Sequence, residues 1–444
     1  MRFSKSISPI KIFNYIYLAV FIFLFFYTFY RSEFIYEGKQ ISYYYKYYLI
    51  FSSGIIFWVV ALFLDDKIKS RLLIVSTSVI FLMYFYEIIR FYAPNIRSTI
   101  KTSQIAEKTK FEVIEDLKNK KNEEVVPSVF PKLLLNKNNK NIFPLGGISK
   151  TITVFCKEGD DFSIYKSDRF GFNNPDSEWS STDIKWYLIG DSFVHGSCVL
   201  PGEDFASRIR SLTKEKAISL GMSGNGPLIE LASLKEYGSI KKPKNVLWFY
   251  FERNDLSDLK FEKRDPIIKE YIKSKHTQNL INRQFEIDNN LINFIDKSRH
   301  KKKDKKKSDS YLSFKKIVRL QIIRDKLALD RGLVFEIDPL FEKILLEANT
   351  IVKKWGGKLY FIYLPDKERY SSSNKDDSYL KRTKILELVK NTDIPIIDIH
   401  KDFFEKKDDP LSFYAHRTYG HYSPDGYLEI AKLILEKVKG NMNK

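Results

Sequence analysis

Apolar residues fall in two regimes along this chain. Up to Ile89 they run in long stretches: Ile12 to Tyr30 is interrupted only by Asn14 and Thr28, and Tyr47 to Leu64 and Leu72 to Ile89 repeat the pattern. Each stretch is long enough to cross a hydrocarbon core of about 30 Å as a helix. The pattern therefore predicts a transmembrane region over residues 1–94 with three spans, about 12–30, 47–64 and 72–89. A cleavable leader is disfavoured for the first, because its apolar part is too long and no small-residue cleavage site follows. Acidic Glu87 is placed at the end of the third span, within reach of the interface.

The second regime is an alternation. Short apolar runs of strand length at Lys185–Gly190, Ala217–Leu220, Asn245–Phe251, Lys358–Leu364 and Ile394–Ile399 are mostly separated by helical periodicity, around Ile229–Tyr237, Leu340–Trp355, Tyr379–Val389 and Tyr427–Val438. Strands buried on both faces read as continuous apolar runs, and alternation with helices argues a parallel sheet covered on both sides. The expected fold over residues 184–444 is α/β, a flavodoxin-like three-layer α/β/α sandwich with a parallel five-stranded sheet. Residues 95–183 are read as a stalk helix to about Lys121, an irregular connector (PSVFPKLLLNKNNKN), and lead-in strands at Ile148–Phe155 and Phe162–Tyr165. A Lys-rich insertion, about 255–338, separates the third and fourth strands and far exceeds an ordinary connection. Its run RHKKKDKKKSD, Arg299 to Asp309, reads as a solvated loop in preference to a grip on an anionic surface.

Charge refines this picture. Of the 444 residues, 74 are basic and 55 acidic, giving +19, with 56 Lys against 18 Arg. No nucleic-acid-binding motif accompanies the excess, so no nucleic-acid partner is expected; anionic lipid heads and acidic glycans remain compatible. Basic residues gather in the N-terminal tail (Arg2, Lys5, Lys11) and in the tight second loop (Lys67, Lys69, Arg71). The first loop spreads Arg31, Lys39 and Lys46 beside Tyr43, Tyr44, Tyr45, Tyr47 and Tyr48, a composition suited to an interfacial belt. Tail and second loop inside, with three spans in contact with lipid, predict a multi-pass protein of the inner (cytoplasmic) membrane whose chain beyond Arg90 lies outside the cytoplasm. Two cysteines and six histidines without an HExxH pair give no metal site, and no cofactor is expected. Cys156 and Cys198 are open to two readings, a bridge in an oxidising compartment or two packed thiols.

Candidate chemistry begins where the first strand of the sandwich ends, at Gly190-Asp191-Ser192. A serine there is exposed at the sheet edge, with the N–H groups of the following helix aimed at it, which suits a nucleophile whose reaction develops an oxyanion. Alone, the tripeptide is also an ordinary helix cap. Further blocks follow in order: LGMSGNGP with Gly224 after the second strand, FERNDLSD with Asn254 after the third, and GHYSPDGY with His421 before the last helix; SDRFGFNNPD precedes them all. With these blocks and LIGDSFVHG, the segment from Ile184 to Val438 resembles the SGNH/GDSL hydrolase superfamily.

The resemblance implies Ser192 as nucleophile, His421 as its base, and an oxyanion hole from the N–H groups of Ser192 and Gly224 and the side-chain amide of Asn254. One position departs from the family: the usual aspartate three residues before the histidine is Thr418. Either a carbonyl orients the ring of a Ser-His dyad, or another acid such as Asp409 or Asp425 reaches it, or catalysis is weak. His195 is expected to pack, Asp191 and Asp255 to make loop hydrogen bonds, and His400 and His416 lack a motif. The implied function is a membrane-anchored serine esterase acting outside the cytoplasm on an acylated envelope glycan or lipid. Its rivals are a non-catalytic polysaccharide-binding module, which Thr418 favours, and an O-acyltransferase. Oligomeric state leaves no trace in the chain.

Overall fold

The computed structural model describes residues 9–102, 108–121, 123–137, 141–159, 161–300, 314–327, 329, 336–371 and 375–442. The chain divides into two compact units, Met1–Glu107 with Lys301–Glu336, and Lys108–His300 with Ile337–Lys444.

The first unit is built on three helices, α1 (Pro9–Phe29), α2 (Ile41–Ala61) and α3 (Asp66–Thr102). Two segments, Pro9–Ile35 and Asp66–Tyr92, are long and apolar enough to cross a membrane. The second span expected from the sequence, about 47–64, is helical over most of its length as part of α2, but α2 is not apolar enough to join them. It opens Ile-Ser-Tyr-Tyr-Tyr-Lys-Tyr-Tyr, so phenols and an ammonium dilute its first two turns. Inside the unit, Asn14 Nδ2 donates to the Trp58 carbonyl at 3.1 Å and Tyr17 stacks on Trp58 at 4.5 Å. Outside it, Phe23, Phe26, Ile56, Val60, Ile74 and Phe81 stand exposed.

The long insertion is shared between the units. Asp255–Glu262 and Gln284–His300 are helices of the second unit, whereas Gln321–Lys326 packs on α3 in the first. There Glu87 is fully buried and accepts the N–H groups of Ile322 at 2.8 Å and Ile323 at 3.1 Å. It caps that helix, because the first turn of Gln321–Lys326 leaves its N–H groups without intrahelical partners. Residues 301–309 of the lysine run lie outside the described residues.

The second unit opens with α4 (Lys110–Lys121) and a small sheet of β1 (Val125–Pro127), β2 (Ile152–Val154) and β3 (Ile164–Lys166), in that order. Its main sheet contains β4 (Ile184–Ile189), β5 (Lys216–Ser219), β6 (Asn245–Phe251), β7 (Lys358–Leu364) and β8 (Ile396–Asp398). All pairs are parallel, in the order β5-β4-β6-β7-β8, which is the flavodoxin-like order expected. Every residue of β6 is buried, which explains its unbroken apolar run. Leu247, Phe249 and Phe251 share a core with α6 (Phe205–Thr213) and the C-terminal helix Pro424–Met442. On the other face Tyr250 packs against Phe341 of the helix Pro339–Lys354. The order reverses between β4 and β6, so a crevice opens beyond the C-terminal ends of those two strands.

Candidate active site

Gly190 turns the chain out of β4. A Cβ there would lie 2.6 Å from Val194 Cγ2 and 3.1 Å from Phe249 Cβ, so only glycine admits the turn. Asp191 then caps the single turn α5 (Ser192–His195), its Oδ1 accepting the Phe193 N–H at 3.1 Å. Ser192 Oγ meets His421 Nε2 at 2.8 Å. His421 is held before the C-terminal helix by an antiparallel bridge between Tyr414 and Tyr422 and by the Ala415 N–H, which donates to the His421 carbonyl at 3.0 Å. The Phe193 ring packs 4.9 Å from the imidazole.

None of the expected orienters touches His421. Asp409 pairs with Arg417 at 2.6 Å, the Thr418 carbonyl accepts Lys367 Nζ at 2.8 Å, and Asp425 lies in the first turn of the last helix without a bond to the ring. The acid is Glu158. Its Oε1 lies 2.6 Å from His421 Nδ1, and its Oε2 accepts the His421 backbone N–H at 3.3 Å. With Nδ1–H donated to the carboxylate, the Nε2 lone pair faces the serine hydroxyl, the tautomer a general base requires. The Ser-His-acid constellation is thereby complete, its carboxylate supplied by the lead-in segment and not by the histidine's own loop.

Glu158 is fixed by covalent chemistry. Cys156, two residues before it, is bridged to Cys198, six residues beyond Ser192. The Cys198 sulfur, a Glu158 carboxylate oxygen and a His421 nitrogen lie within 4.8 Å of one another. The disulfide takes that sulfur out of contention as a metal ligand. The only sequence hint of this acid was its nearness to a cysteine, in CKEGDD.

The oxyanion side is assembled less directly. Gly224 has φ +73°, and a Cβ there would lie 2.5 Å from Lys132 Cδ. The Ser223 N–H is taken by His195 Nδ1 at 3.1 Å, while among the described residues no acceptor takes that of Gly224. Asn254 follows β6, at the N-cap of the helix Asp255–Glu262, and its Nδ2 donates to Asp258 Oδ2 at 2.8 Å and approaches Asp191 Oδ2 at 3.4 Å. Ser192 Oγ also lies 3.2 Å from Asp191 Oδ2, so that carboxylate joins the serine to the asparagine. Burial pushes the Asp191 carboxyl up from its ordinary pKa, against the N–H of Phe193 and the nearby His421. Asp258, 3% exposed, is balanced by Lys132 Nζ at 2.6 Å. Lys132, from a segment read only as a connector, therefore packs on Gly224 and steadies the partner of Asn254.

The remaining groups support the loops. Buried His195 bonds Tyr165 Oη at 2.8 Å, and burial, with the charge of Lys110, lowers its pKa to about 3. Asp255 Oδ2 accepts the Phe251 N–H at 2.8 Å, and His400 bonds Tyr370. His416, in the loop before His421, is not brought to the serine. In the lead-in block, Asp168 accepts from Phe170, Phe172, Asn174 and Trp179, and burial nonetheless raises it to about 6. Asn174 bonds both backbone groups of Ser219, and Asn173 Nδ2 donates to the His195 carbonyl at 3.0 Å, which staples this block to β5 and α5.

Sheet order, a serine after the first strand of the main sheet and a histidine before the last helix bring the two side chains together at the C-terminal ends of a flavodoxin-like parallel sheet. Among solved structures the chain is similar to a lipolytic protein of the G-D-S-L family from Desulfitobacterium hafniense DCB-2, at 11% identity and TM-score 0.33 over 57% of this chain and 98% of that one. It is also similar to the lipase/acylhydrolase from Enterococcus faecalis (16% identity, TM-score 0.31, 58% and 96% covered). A third is the acetyl xylan esterase AlAXEase (15% identity, TM-score 0.31, 57% and 100% covered). No family model and no curated protein sequence matches the chain.

Proposed function

We propose that this protein is a membrane-anchored serine ester hydrolase of the SGNH type, working outside the cytoplasm on an acylated envelope glycan or lipid. The observation that carries the reading is the relay from Glu158 to His421 at 2.6 Å and from His421 to Ser192 at 2.8 Å. Ser192 Oγ attacks the ester carbonyl and passes its proton to His421 Nε2, while Glu158 stabilises the imidazolium. The tetrahedral oxyanion is met by the N–H groups of Ser192 and Gly224 and by Asn254 once its amide turns from the carboxylates. His421 then protonates the leaving alkoxide, leaving an acyl-serine that water cleaves in a second round of the same proton transfers.

Thr418 no longer favours a non-catalytic module, since the missing aspartate is replaced from elsewhere. Water is preferred as acceptor because so small a membrane unit offers no evident route for an acyl donor across the bilayer. The Cys156–Cys198 bridge supports an oxidising, extracytoplasmic setting for the hydrolase unit. The exposed apolar faces of α1, α2 and α3 support their lying in lipid.

The test is fluorophosphonate labelling together with turnover of acetylated sugars and lysolipids, by wild type and Ser192→Ala. Wild type is expected to label and turn over ester, and the variant to do neither. A wild type inert in both assays overturns the enzyme reading in favour of glycan binding.

A further inference from the structure

A cavity of about 400 Å³ lies in the first unit, and its lining combines three arginines, a set of tyrosines and apolar side chains. The cations are Arg31, Arg319 and Arg324, and the floor is formed by Leu24, Phe51 and Val318. The cavity exists because the insertion folds back on the helices. Glu87 caps Gln321–Lys326, Tyr84 Oη donates to the Val318 carbonyl at 3.2 Å, and Tyr47 Oη donates to the Leu329 carbonyl at 3.3 Å.

Two of the guanidinium groups are held before any ligand arrives. Arg324 donates from Nε to Tyr47 Oη at 3.0 Å and from a terminal nitrogen to Tyr43 Oη at 2.9 Å. Arg31 donates to Tyr36 Oη at 3.0 Å and weakly to Tyr27 Oη at 3.4 Å. Its Nε is buried without an acceptor. The described partners of Arg31 are phenols, which fix the side chain without neutralising it. A cationic side chain such as Arg31 at the edge of an apolar helical unit is costly unless an anion meets it. Arginine forks match the paired oxygens of phosphate, and three around one space suit an anion with several oxygens and more charge than a carboxylate. The apolar floor beside them suits a hydrocarbon chain, and the tyrosines suit the depth at which headgroup and chain join.

We propose that this cavity binds the phosphate group of an anionic amphiphile, with its hydrocarbon chain lying along Leu24, Phe51 and Val318. The site rests on the reading of this unit as membrane-embedded, and not on the esterase reading.

The experiment is native mass spectrometry of the full-length protein in dodecyl maltoside, titrated with palmitoyl-oleoyl phosphatidylglycerol, with the matching phosphatidylcholine, and with inorganic phosphate. One phosphatidylglycerol is expected to be retained in preference to phosphatidylcholine. Arg31→Gln and Arg319→Gln are each expected to weaken retention about tenfold, the loss typical of one charged hydrogen bond. Arg319→Gln guards against misfolding of the Arg31 variant, because among the described residues the hydrogen bond of Arg319 is made by its backbone N–H, which glutamine keeps. Displacement of the lipid by millimolar phosphate assigns the subsite to the anion itself; retention in its presence assigns it to the lipid. Equal retention of both lipids, or retention indifferent to both variants, overturns the proposal. Fluorophosphonate labelling of the same samples keeps the two readings apart. Labelling persists in the arginine variants if both hold, whereas an unlabelled wild type that still retains the lipid sinks only the esterase. Release of the chain from membranes by alkaline carbonate removes the embedded reading and this site with it.

Discussion

Glu158 reaches His421 across 263 positions of sequence and grips both its ring and its backbone N–H. A neutral amide in its place keeps the shape but loses the charge that stabilises the imidazolium and selects the tautomer. Glu158→Gln is therefore expected to lower kcat by about 10,000-fold, the loss typical when a triad acid becomes an amide, with little change in KM. Thr418→Ala is expected to stay within a few-fold of wild type, since the Thr418 group that makes a described side-chain contact is its carbonyl, which alanine keeps. Steady-state kinetics on one ester substrate decides both, and a loss at Thr418 as large as at Glu158 would count against the assignment. His195 carries a different residue-scale consequence. Burial holds its pKa at about 3, below the ordinary value of about 6.5 in an unfolded chain. Between those values the unfolded chain binds the proton and the folded one does not. The contribution of neutral His195 is thus complete above about pH 6.5 and is lost as pH falls towards 3. Urea midpoints between pH 7 and pH 4 are expected to fall less steeply for His195→Gln than for wild type, which isolates this group from buried acids such as Glu262, raised to about 8, whose effect has the opposite sign.

At the scale of elements, the Cys156–Cys198 bridge joins the loop that carries Glu158 to the loop that follows Ser192, so it clamps two thirds of the relay. It closes a sequence separation of 42 residues, for which chain entropy alone is worth about 4 kcal/mol. The paired Cys156→Ala, Cys198→Ala variant is expected to lose stability of that order in denaturant titrations. It should also lose kcat, because Glu158 then wanders; unchanged kcat would show that the lead-in block is held by Asp168 and Asn174 alone. The elements differ in how legible they were. β4, β6 and β7 could be read from sequence because a strand buried on both faces must be apolar throughout, and Ser192, Asn254 and His421 because each follows or precedes such an element at a fixed offset. Glu158 could not, since it sits in a short loop among other acids and acquires its role only when β2, β3 and the disulfide fold it across the crevice. Likewise nothing local in QIIRDK announced a partnership with Glu87: helix capping at that distance in sequence is decided by tertiary packing. Lys132 was hidden for the same reason, its meaning set by the space that Gly224 leaves.

At the scale of the whole molecule, the number of crossings decides on which side of the membrane the second unit lies. If α1 and α3 cross and α2 does not, the tail before α1 and the chain after α3 share one side. If α2 also crosses, they lie on opposite sides. Two independent features favour opposite sides: the basic tail of Arg2, Lys5 and Lys11, a composition that the positive-inside bias keeps in the cytoplasm, and the disulfide, a bond that oxidising compartments preserve. The tyrosine-rich start of α2 can satisfy this without a long apolar stretch, because phenols suit the outer interface while Ile56, Phe57, Val59 and Val60 occupy the core. Fusions of an export-dependent phosphatase separate the two arrangements. With three crossings, fusion after Gln40 is active, fusion after Asp65 inactive and fusion after Met442 active. With two, the Asp65 fusion becomes active and the Met442 fusion silent, because α3 then returns the chain to the cytoplasm. The three-crossing pattern is expected, and a silent Met442 fusion would move the second unit into a reducing compartment, where the clamp on Glu158 would not persist.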